Sequence, residues 1–357
     1  MKKTILVTGG MGYIGSHTVV ELLKASSRGN RYEVYSIDNF LNSRIITKRR
    51  LEKLTHKEIN NFNIDLTNLT RLENTLQKLP PIHAVIHFAA LKSVEESVEK
   101  PLTYYHNNIT SITNLLQCVK SFTIPYFIYS SSCSIYGNLQ AKDLPVREDT
   151  PPQPTASPYG HTKLIGEEII KSFASTHPVH SVSLRYFNPA GADPSGIIGE
   201  DPGQIVRNLV NVITQAGLYR KPLQVYGNDY PTRDGSCIRD YIHVNDIARA
   251  HLDALVYLEN LSSKKNSARK RRGVSGHYEA FNLGTGKGVS VLEMISTFEE
   301  ITGVKLKIKY APRRSGDVVS IYSDSTKAKK LLKWAPQHSL TDMLKSAWAW
   351  EQFRDKN

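Results

Sequence analysis

Short apolar runs alternate with longer stretches of helical periodicity from the beginning of the chain. Lys3–Val7 is a β-rich run, followed by a glycine turn and a helical pattern over Tyr13–Lys24. Glu33–Ile37, Asn60–Ile64, Ala84–Phe88, Tyr126–Tyr129 and Ser181–Leu184 repeat the strand-like pattern, with helical stretches between most of them. Strands separated by helices pair in parallel through right-handed crossovers, so the pattern predicts a doubly wound parallel α/β sheet. Ala84–Phe88 reads AVIHF, nearly all apolar, as expected of a central strand covered on both faces.

After Asn188 the texture changes. Residues from Pro189 to Gly203 are rich in proline, glycine and aspartate, which marks a boundary. The expected organisation is a Rossmann domain over residues 1–188 and a smaller mixed α/β domain over 189–357. Segments 241–258 and 278–283 are candidates to pack back on the first domain.

Composition changes this picture little. Hydrophobic residues make up 40% and charged ones 22%, ordinary for a globular protein, and no run is apolar enough to span a bilayer. The opening MKKTILVTGG is too short for a signal-peptide core. Three widely spaced cysteines give neither a disulfide framework nor a zinc pattern, so a reducing, cytoplasmic setting and no metal are expected. The net charge of +13 raises the question of a polyanionic partner. Nearly half of it comes from six basic residues within 262–275, which read as a solvated surface loop. No nucleic-acid module accompanies them, so neither nucleic acid nor membrane is an expected partner. The remaining excess suits a phosphate-bearing substrate.

The first turn, Thr8-Gly9-Gly10-Met11-Gly12-Tyr13-Ile14-Gly15, fits G-x-G-x-x-G through Gly10, Gly12 and Gly15. It also fits G-x-x-G-x-x-G through Gly9, Gly12 and Gly15. Glycines let the backbone turn tightly and approach a pyrophosphate, and the helix that follows offers free N–H groups to it. Asp38, ending the second strand, is placed to bond the adenosine ribose and to repel a 2′-phosphate, so the expected cofactor is NAD rather than NADP. Gly284–Gly288 lacks phosphate-loop spacing and reads as a strand-to-helix turn.

Tyr159 and Lys163 lie four residues apart, on one face of a helical stretch from Pro158 to about Ala174. A tyrosine is a poor base at neutral pH unless positive charge beside it favours the phenolate, which Lys163 and a charged nicotinamide are expected to supply. Upstream, a strand ends in Ser130-Ser131-Ser132, which brings hydroxyls to the carboxyl edge of the sheet where ligands bind.

Together, TGGMGYIG, Asp38, YSSSCSIYG, SPYGHTK and LRYFNPAGADPSG resemble the extended short-chain dehydrogenase/reductase family. DNFLNS, HFAALKSVEESVEKPLTYYHNN, GEDPGQIVRNL and VYGNDYPTRDGSCIRDYIHVND resemble its sugar-nucleotide 4-epimerase branch, and the likeness covers nearly everything but the basic loop. The resemblance implies reversible epimerisation of UDP-galactose and UDP-glucose at C4, through a 4-keto intermediate, with NAD tightly bound. It implies cofactor contacts at Gly9, Gly12, Tyr13, Ile14 and Gly15, and at Asp38, Asn39, Phe40, Leu41, Asn42 and Ser43. Further cofactor contacts are implied at Asp65, Leu66, Phe88, Ala89, Ala90, Leu91, Lys92, Asn107, Tyr186 and Phe187. Tyr159, Lys163 and Ser132 become the catalytic residues, Lys163 lowering the Tyr159 pKa and Ser132 bonding the substrate hydroxyl. The UDP-sugar is implied to contact Ser132, Tyr159, Asn188, Asn208, Leu209, Gln224, Val225, Tyr226, Arg239, Arg314 and Asp317. A homodimer built through the helices after Lys92 and Tyr159 is also implied.

Two positions depart from the pattern. Ala90 replaces a common glycine, and Ile321 stands where the family limits pocket size, between the bulky and small residues found there. The 4,6-dehydratases and decarboxylases of the family need an added acid/base pair after the serine-ended strand, and Cys133 and Ser134 stand there instead. A catalytically inactive NAD-binding scaffold is the remaining alternative, against which the intact Ser132, Tyr159 and Lys163 argue.

Overall fold

Seven parallel strands form the main sheet in the computed structural model, which describes residues 2–27, 32–201, 208–265, 276–314 and 317–356. Six of them, β1 (Lys3–Thr8), β2 (Tyr32–Ile37), β3 (Asn60–Phe62), β4 (Ile82–His87), β5 (Tyr126–Ser132) and β6 (His180–Tyr186), precede residue 188. They alternate with α1 (Tyr13–Ser27), α2 (Ile45–Thr55), α3 (Leu69–Leu76), α4 (Val94–Glu99), α5 (Pro101–Ser121) and α6 (Pro158–Thr176). Then follow β7 (Asn188–Ala190), α7 (Leu209–Tyr219), β8 (Leu223–Tyr226), β9 (Ile238–His243), α8 (Val244–Lys265) and β10 (His277–Leu283). The chain closes with β11 (Gly288–Ser290), α9 (Val291–Thr302), β12 (Ile308–Ala311), β13 (Ser320–Ile321), α10 (Thr326–Leu331) and α11 (Leu340–Lys356).

The spatial order is β10-β6-β5-β4-β1-β2-β3, so the chain winds one way from β1 and the other way from β4. Between those two strands lies the switch point at which open α/β sheets bind ligands. Alternation along each strand fills both faces. Ile5, Val7, Ala84, Ile86 and Ile128 face a core shared with α1 and α8, whereas Leu6, Val85 and Phe127 face one shared with α3 and α5. Each fully buried aliphatic side chain contributes about 1.5–3 kcal/mol, so the two cores together hold the sheet and its flanking helices. Among the later elements, α7, α9 and α11 enclose a separate core around Ile213, Phe298 and Leu344. Two further sheets lie there: β9 pairs with β7, β11 and β13, and β8 pairs with β12.

Local chemistry sets the helix that matters most. Ser157 caps α6 by accepting the Gly160 N–H at 3.2 Å, and Pro158 occupies its first turn, where no backbone donor is missed. Tyr159 and Lys163 are thereby fixed on the first turns of a helix packed on α5.

Two sequence expectations are corrected here. The Gly284–Gly288 segment does not run straight from strand to helix, because β11 intervenes, antiparallel to β9. A protein carboxylate organises this turn: Asp240 accepts the Thr285 N–H at 2.8 Å, the Thr285 hydroxyl at 2.6 Å and the Gly286 N–H at 3.1 Å. Positions 262–265 of the expected basic loop belong instead to α8, which continues through Lys265, and positions 266–275 lie outside the described residues. No helix among the described residues is long and apolar enough to cross a membrane.

Four histidines are buried, and burial holds them neutral: His87 and His243 are drawn down to about 3, His17 and His251 to about 4. The unfolded chain takes up these protons near pH 6.5, the folded one only near 3–4. Stability is therefore full above pH 6.5 and falls as the pH drops towards 4, each histidine removing roughly 1.4 kcal/mol per pH unit. The urea midpoint should be lower at pH 5.5 than at pH 7.5, and equal midpoints would show that these side chains are not buried neutral.

Candidate active site

A cleft of about 440 Å³ opens at the carboxyl edge of the main sheet, over the switch point, and extends to the elements that follow β6. The site residues expected from sequence all line it except Phe40. Phe40 adopts the left-handed conformation, φ 60°, donates its N–H to Asp38 Oδ1 at 2.9 Å, and packs its ring against the α1–α8 core. Ile321 also lies outside the cleft wall. It is buried in a small cluster with Phe187, Ile135, Tyr136 and Val146, so any effect on pocket size passes through Phe187.

The glycine turn resolves the ambiguity of its motif. Gly9, Gly12 and Gly15 line the cleft and Gly10 does not. Gly9 has φ +71°, and a Cβ on Gly15 would stand 2.1 Å from the Gly9 carbonyl oxygen, so both positions exclude side chains. A Cβ on Gly12 would meet only that same oxygen, at 3.3 Å, and would otherwise occupy open cleft. This is the room a diphosphate needs above the first turn of α1.

Asp38 joins the turn to the loop that follows β2. Its Oδ2 accepts the Met11 N–H at 2.9 Å, and its Oδ1 accepts the Ser43 hydroxyl at 2.7 Å. With Phe40 these make three bonds on about four acceptor sites, which leaves capacity for a ribose hydroxyl. Nearby, Asn114 donates to the Leu66 and Thr67 carbonyls at 2.9 and 3.0 Å, holding the loop of Asp65 and Leu66 against the same end. Asn108 exchanges hydrogen bonds with the Leu91 backbone and donates to Thr162 at 3.0 Å, tying the loop before Lys92 to α6. The residues present fit a dinucleotide laid along this edge.

Ser132, Tyr159 and Lys163 converge where β5 meets α6. Lys163 is buried, its Nζ donates to the Ser130 carbonyl at 2.6 Å, and it sits 4.8 Å from the Tyr129 ring centre and 5.9 Å from that of Tyr159. Burial pushes the Tyr159 hydroxyl up to about 12, opposed by a hydrogen bond with Ser132, while burial draws Lys163 down to about 7 against the pull of Glu167. A buried ammonium directed at a carbonyl is weakened as a charge partner. Cys133 is no acid/base substitute, because burial pushes its thiol up to about 12. Ser134 donates its hydroxyl to Ser132 at 2.9 Å.

At the far end, charge gathers for an anion. Arg314 lies 4.6 Å from the Tyr226 ring centre and donates to Asp317 at 3.3 Å; Arg239 approaches the other Asp317 oxygen at 3.8 Å. Tyr226 donates its hydroxyl to Gln224 at 2.8 Å, ordering the β8 edge. Sequence reasoning missed Glu200, Cys237, Tyr241 and Val291 in the cleft wall. Glu200 stood within GEDPGQIVRNL, where the acid beside a glycine was the available signal.

The chain matches the family described as GDP-mannose 4,6 dehydratase over residues 6–347. It is 42% identical, over 356 residues, to the UDP-glucose 4-epimerase of Drosophila melanogaster, covering 98% of this chain and 96% of that one. Among solved structures, the UDP-glucose 4-epimerase from Stenotrophomonas maltophila with bound NAD and formylated UDP-arabinopyranose superposes with a TM-score of 0.89 at 38% identity, over 99% of both chains. The enzyme of the same name from Bifidobacterium longum, in complex with NAD+ and UDP, gives 0.87 at 38% identity, again over 99% of both.

Proposed function

The chain belongs to the UDP-glucose 4-epimerase family, within the extended short-chain dehydrogenases, and on that premise we propose that it interconverts UDP-galactose and UDP-glucose with resident NAD. The carrying observation is one cleft with Tyr159, Lys163 and Ser132 between a glycine turn and an arginine-flanked aspartate. Gly9, Gly12 and Gly15 would cradle the cofactor diphosphate, Asp38 its adenosine ribose, and Lys163 the nicotinamide ribose. Arg239 and Arg314 would clamp the UDP diphosphate and Asp317 the uridine ribose. When bound, NAD supplies a positive charge beside Tyr159 and a reversible acceptor for the hydrogen and electron pair leaving C4.

Tyr159 takes the 4-hydroxyl proton as that bond forms a ketone, and returns it when the sugar is reduced on its other face. Ser132 bonds the same oxygen and holds it near Tyr159. Remote grip on the UDP positions the hexose while leaving it free to turn, so binding energy is used away from the reacting carbon. Among the described residues of the cleft wall, no carboxylate adjoins Tyr159 in sequence or by a hydrogen bond to act as the added acid/base of a dehydratase. Asp38, Asp65, Glu200 and Asp317 are the carboxylates in the described cleft wall; Asp38 and Asp65 belong to the loops after β2 and β3, Asp317 pairs with the two arginines, and Glu200 is paired with Lys92. That favours epimerisation over dehydration.

The reading includes a homodimer. Val94, Val98 and Leu102, on α4 and the start of α5, are 48%, 60% and 82% exposed, and a second copy would cover them in a four-helix bundle with α5 and α6. It also includes a cytoplasmic setting, which the three free cysteines suit, and a division into cofactor and UDP-sugar parts near residue 188.

The test is turnover of purified protein on UDP-galactose and UDP-N-acetylgalactosamine without added NAD. UDP-galactose should be converted. No conversion even with NAD supplied would refute the activity, and conversion only with NAD supplied would refute a resident cofactor.

A further inference from the structure

Glu200 stands where the two ends of the cleft meet. It is buried, and its carboxylate accepts Lys92 Nζ at 2.8 Å, Asn208 Nδ2 at 2.6 and 2.8 Å, and Asn211 Nδ2 at 2.7 Å. Its backbone carbonyl accepts the Trp350 indole N–H at 2.8 Å. Burial acts against this charge, yet Lys92 and the two asparagines outweigh it and hold the carboxyl below its usual range. The next residue, Asp201, lies 3.1 Å from Arg44 Nε. Upstream in the same segment, the Gly191 carbonyl accepts the Tyr13 hydroxyl at 2.6 Å, and Asp193 lies 3.8 Å from Lys24 Nζ.

The sheet order gives these contacts a direction. Lys92 follows β4 and Arg44 follows β2, and β1 with its glycine turn lies between them. Consecutive acids therefore reach opposite sides of the turn, while Tyr13 and Lys24 hold the start of the segment to α1. We propose that Glu200 and Asp201 are positioning residues of a strap that closes over the cofactor turn and slows dinucleotide release. An ammonium has three protons, so the one given to Glu200 leaves two that can face the cleft. Release requires the Lys92–Glu200 and Arg44–Asp201 contacts to part; each joins an exposed cation to a well-covered carboxylate, and breaking a contact that must part before release acts on the dissociation rate. Through Asn208 the same carboxylate links the hold on the cofactor to the UDP end.

This inference rests on the proposed NAD-dependent reading. The test uses the full chain loaded with NAD, following NAD release after rapid gel filtration. Glu200→Gln should release NAD roughly tenfold faster or more, and Asp201→Asn several-fold faster. In a Lys92→Met background, Glu200→Gln should add less than about twofold, because its effect runs through the ammonium. Release at the wild-type rate in Glu200→Gln, or equal acceleration with and without Lys92, overturns the strap. If Glu200→Gln does not fold, Asp201→Asn and Arg44→Ala carry the test at the more exposed end, and unchanged release in both overturns it. A wild-type chain that holds no NAD would instead defeat the underlying reading.

Discussion

Tyr159→Phe should lower epimerase turnover roughly 10²- to 10⁴-fold, with NAD content and UDP affinity close to wild type. The substitution removes one oxygen and leaves the ring, so packing against the cleft wall persists. Nothing adjacent replaces the lost group. Lys163 is committed to the Ser130 carbonyl, Cys133 holds its proton up to about 12, and Ser132 is a hydroxyl with no base behind it. UDP-galactose turnover measured beside calorimetric UDP binding checks the result, and turnover within a few-fold of wild type would remove Tyr159 from the role of base. The half-buried tyrosine, its hydroxyl pushed up to about 12 by desolvation, also implies that proton transfer depends on charge arriving with the ligands.

Arg185→Ala should cost about 3–5 kcal/mol of folding stability. Arg185 makes a forked pair with Glu167, Nε to Oε1 at 3.0 Å and Nη2 to Oε2 at 2.6 Å, with both side chains largely buried. Ser131 and Tyr278 also donate to Glu167, and Arg185 donates to the Tyr136 hydroxyl at 2.9 Å and the Glu148 carbonyl at 3.1 Å. The pair thus ties α6, which carries Tyr159 and Lys163, to β5, β6 and β10. Truncating the arginine leaves a carboxylate buried without its counter-charge. Chemical denaturation reads the loss directly, and a change below about 1 kcal/mol would mean that water or a nearby donor takes the place of the guanidinium.

What the sequence disclosed follows the range of the interactions involved. The strands of the main sheet were legible because short apolar runs, buried on both faces, are local signals. The cofactor turn was legible because glycine is required by backbone geometry at Gly9 and by contact at Gly15. Which glycines face the cleft was not legible, since two spacings fit equally and only packing of Gly10 against Ser36 separates them. The placement of Phe40 outside the cleft wall was not legible, because its left-handed backbone conformation and the packing of its ring against the core are set by tertiary structure. Glu200 escaped because its partners, Lys92, Asn208, Asn211 and Trp350, come from distant parts of the chain. The weak charge of Lys163 depends on burial, which no i,i+4 spacing reveals.

The placement of β10 bears on how the protein is made. Its seven residues pair along the whole of β6, from His277 opposite His180 to Leu283 opposite Tyr186, although β6 ends about 90 residues earlier in the chain. At a synthesis rate of roughly 5–20 residues per second, the outer edge of β6 leaves the ribosome about 5–20 seconds before its neighbour exists. During that interval Val182 and Leu184 lie on an open, β-prone edge, the kind that recruits another strand. A nascent chain halted before His277 would be the species most in need of a chaperone, and a fragment cut near residue 188 would inherit the same exposed edge permanently.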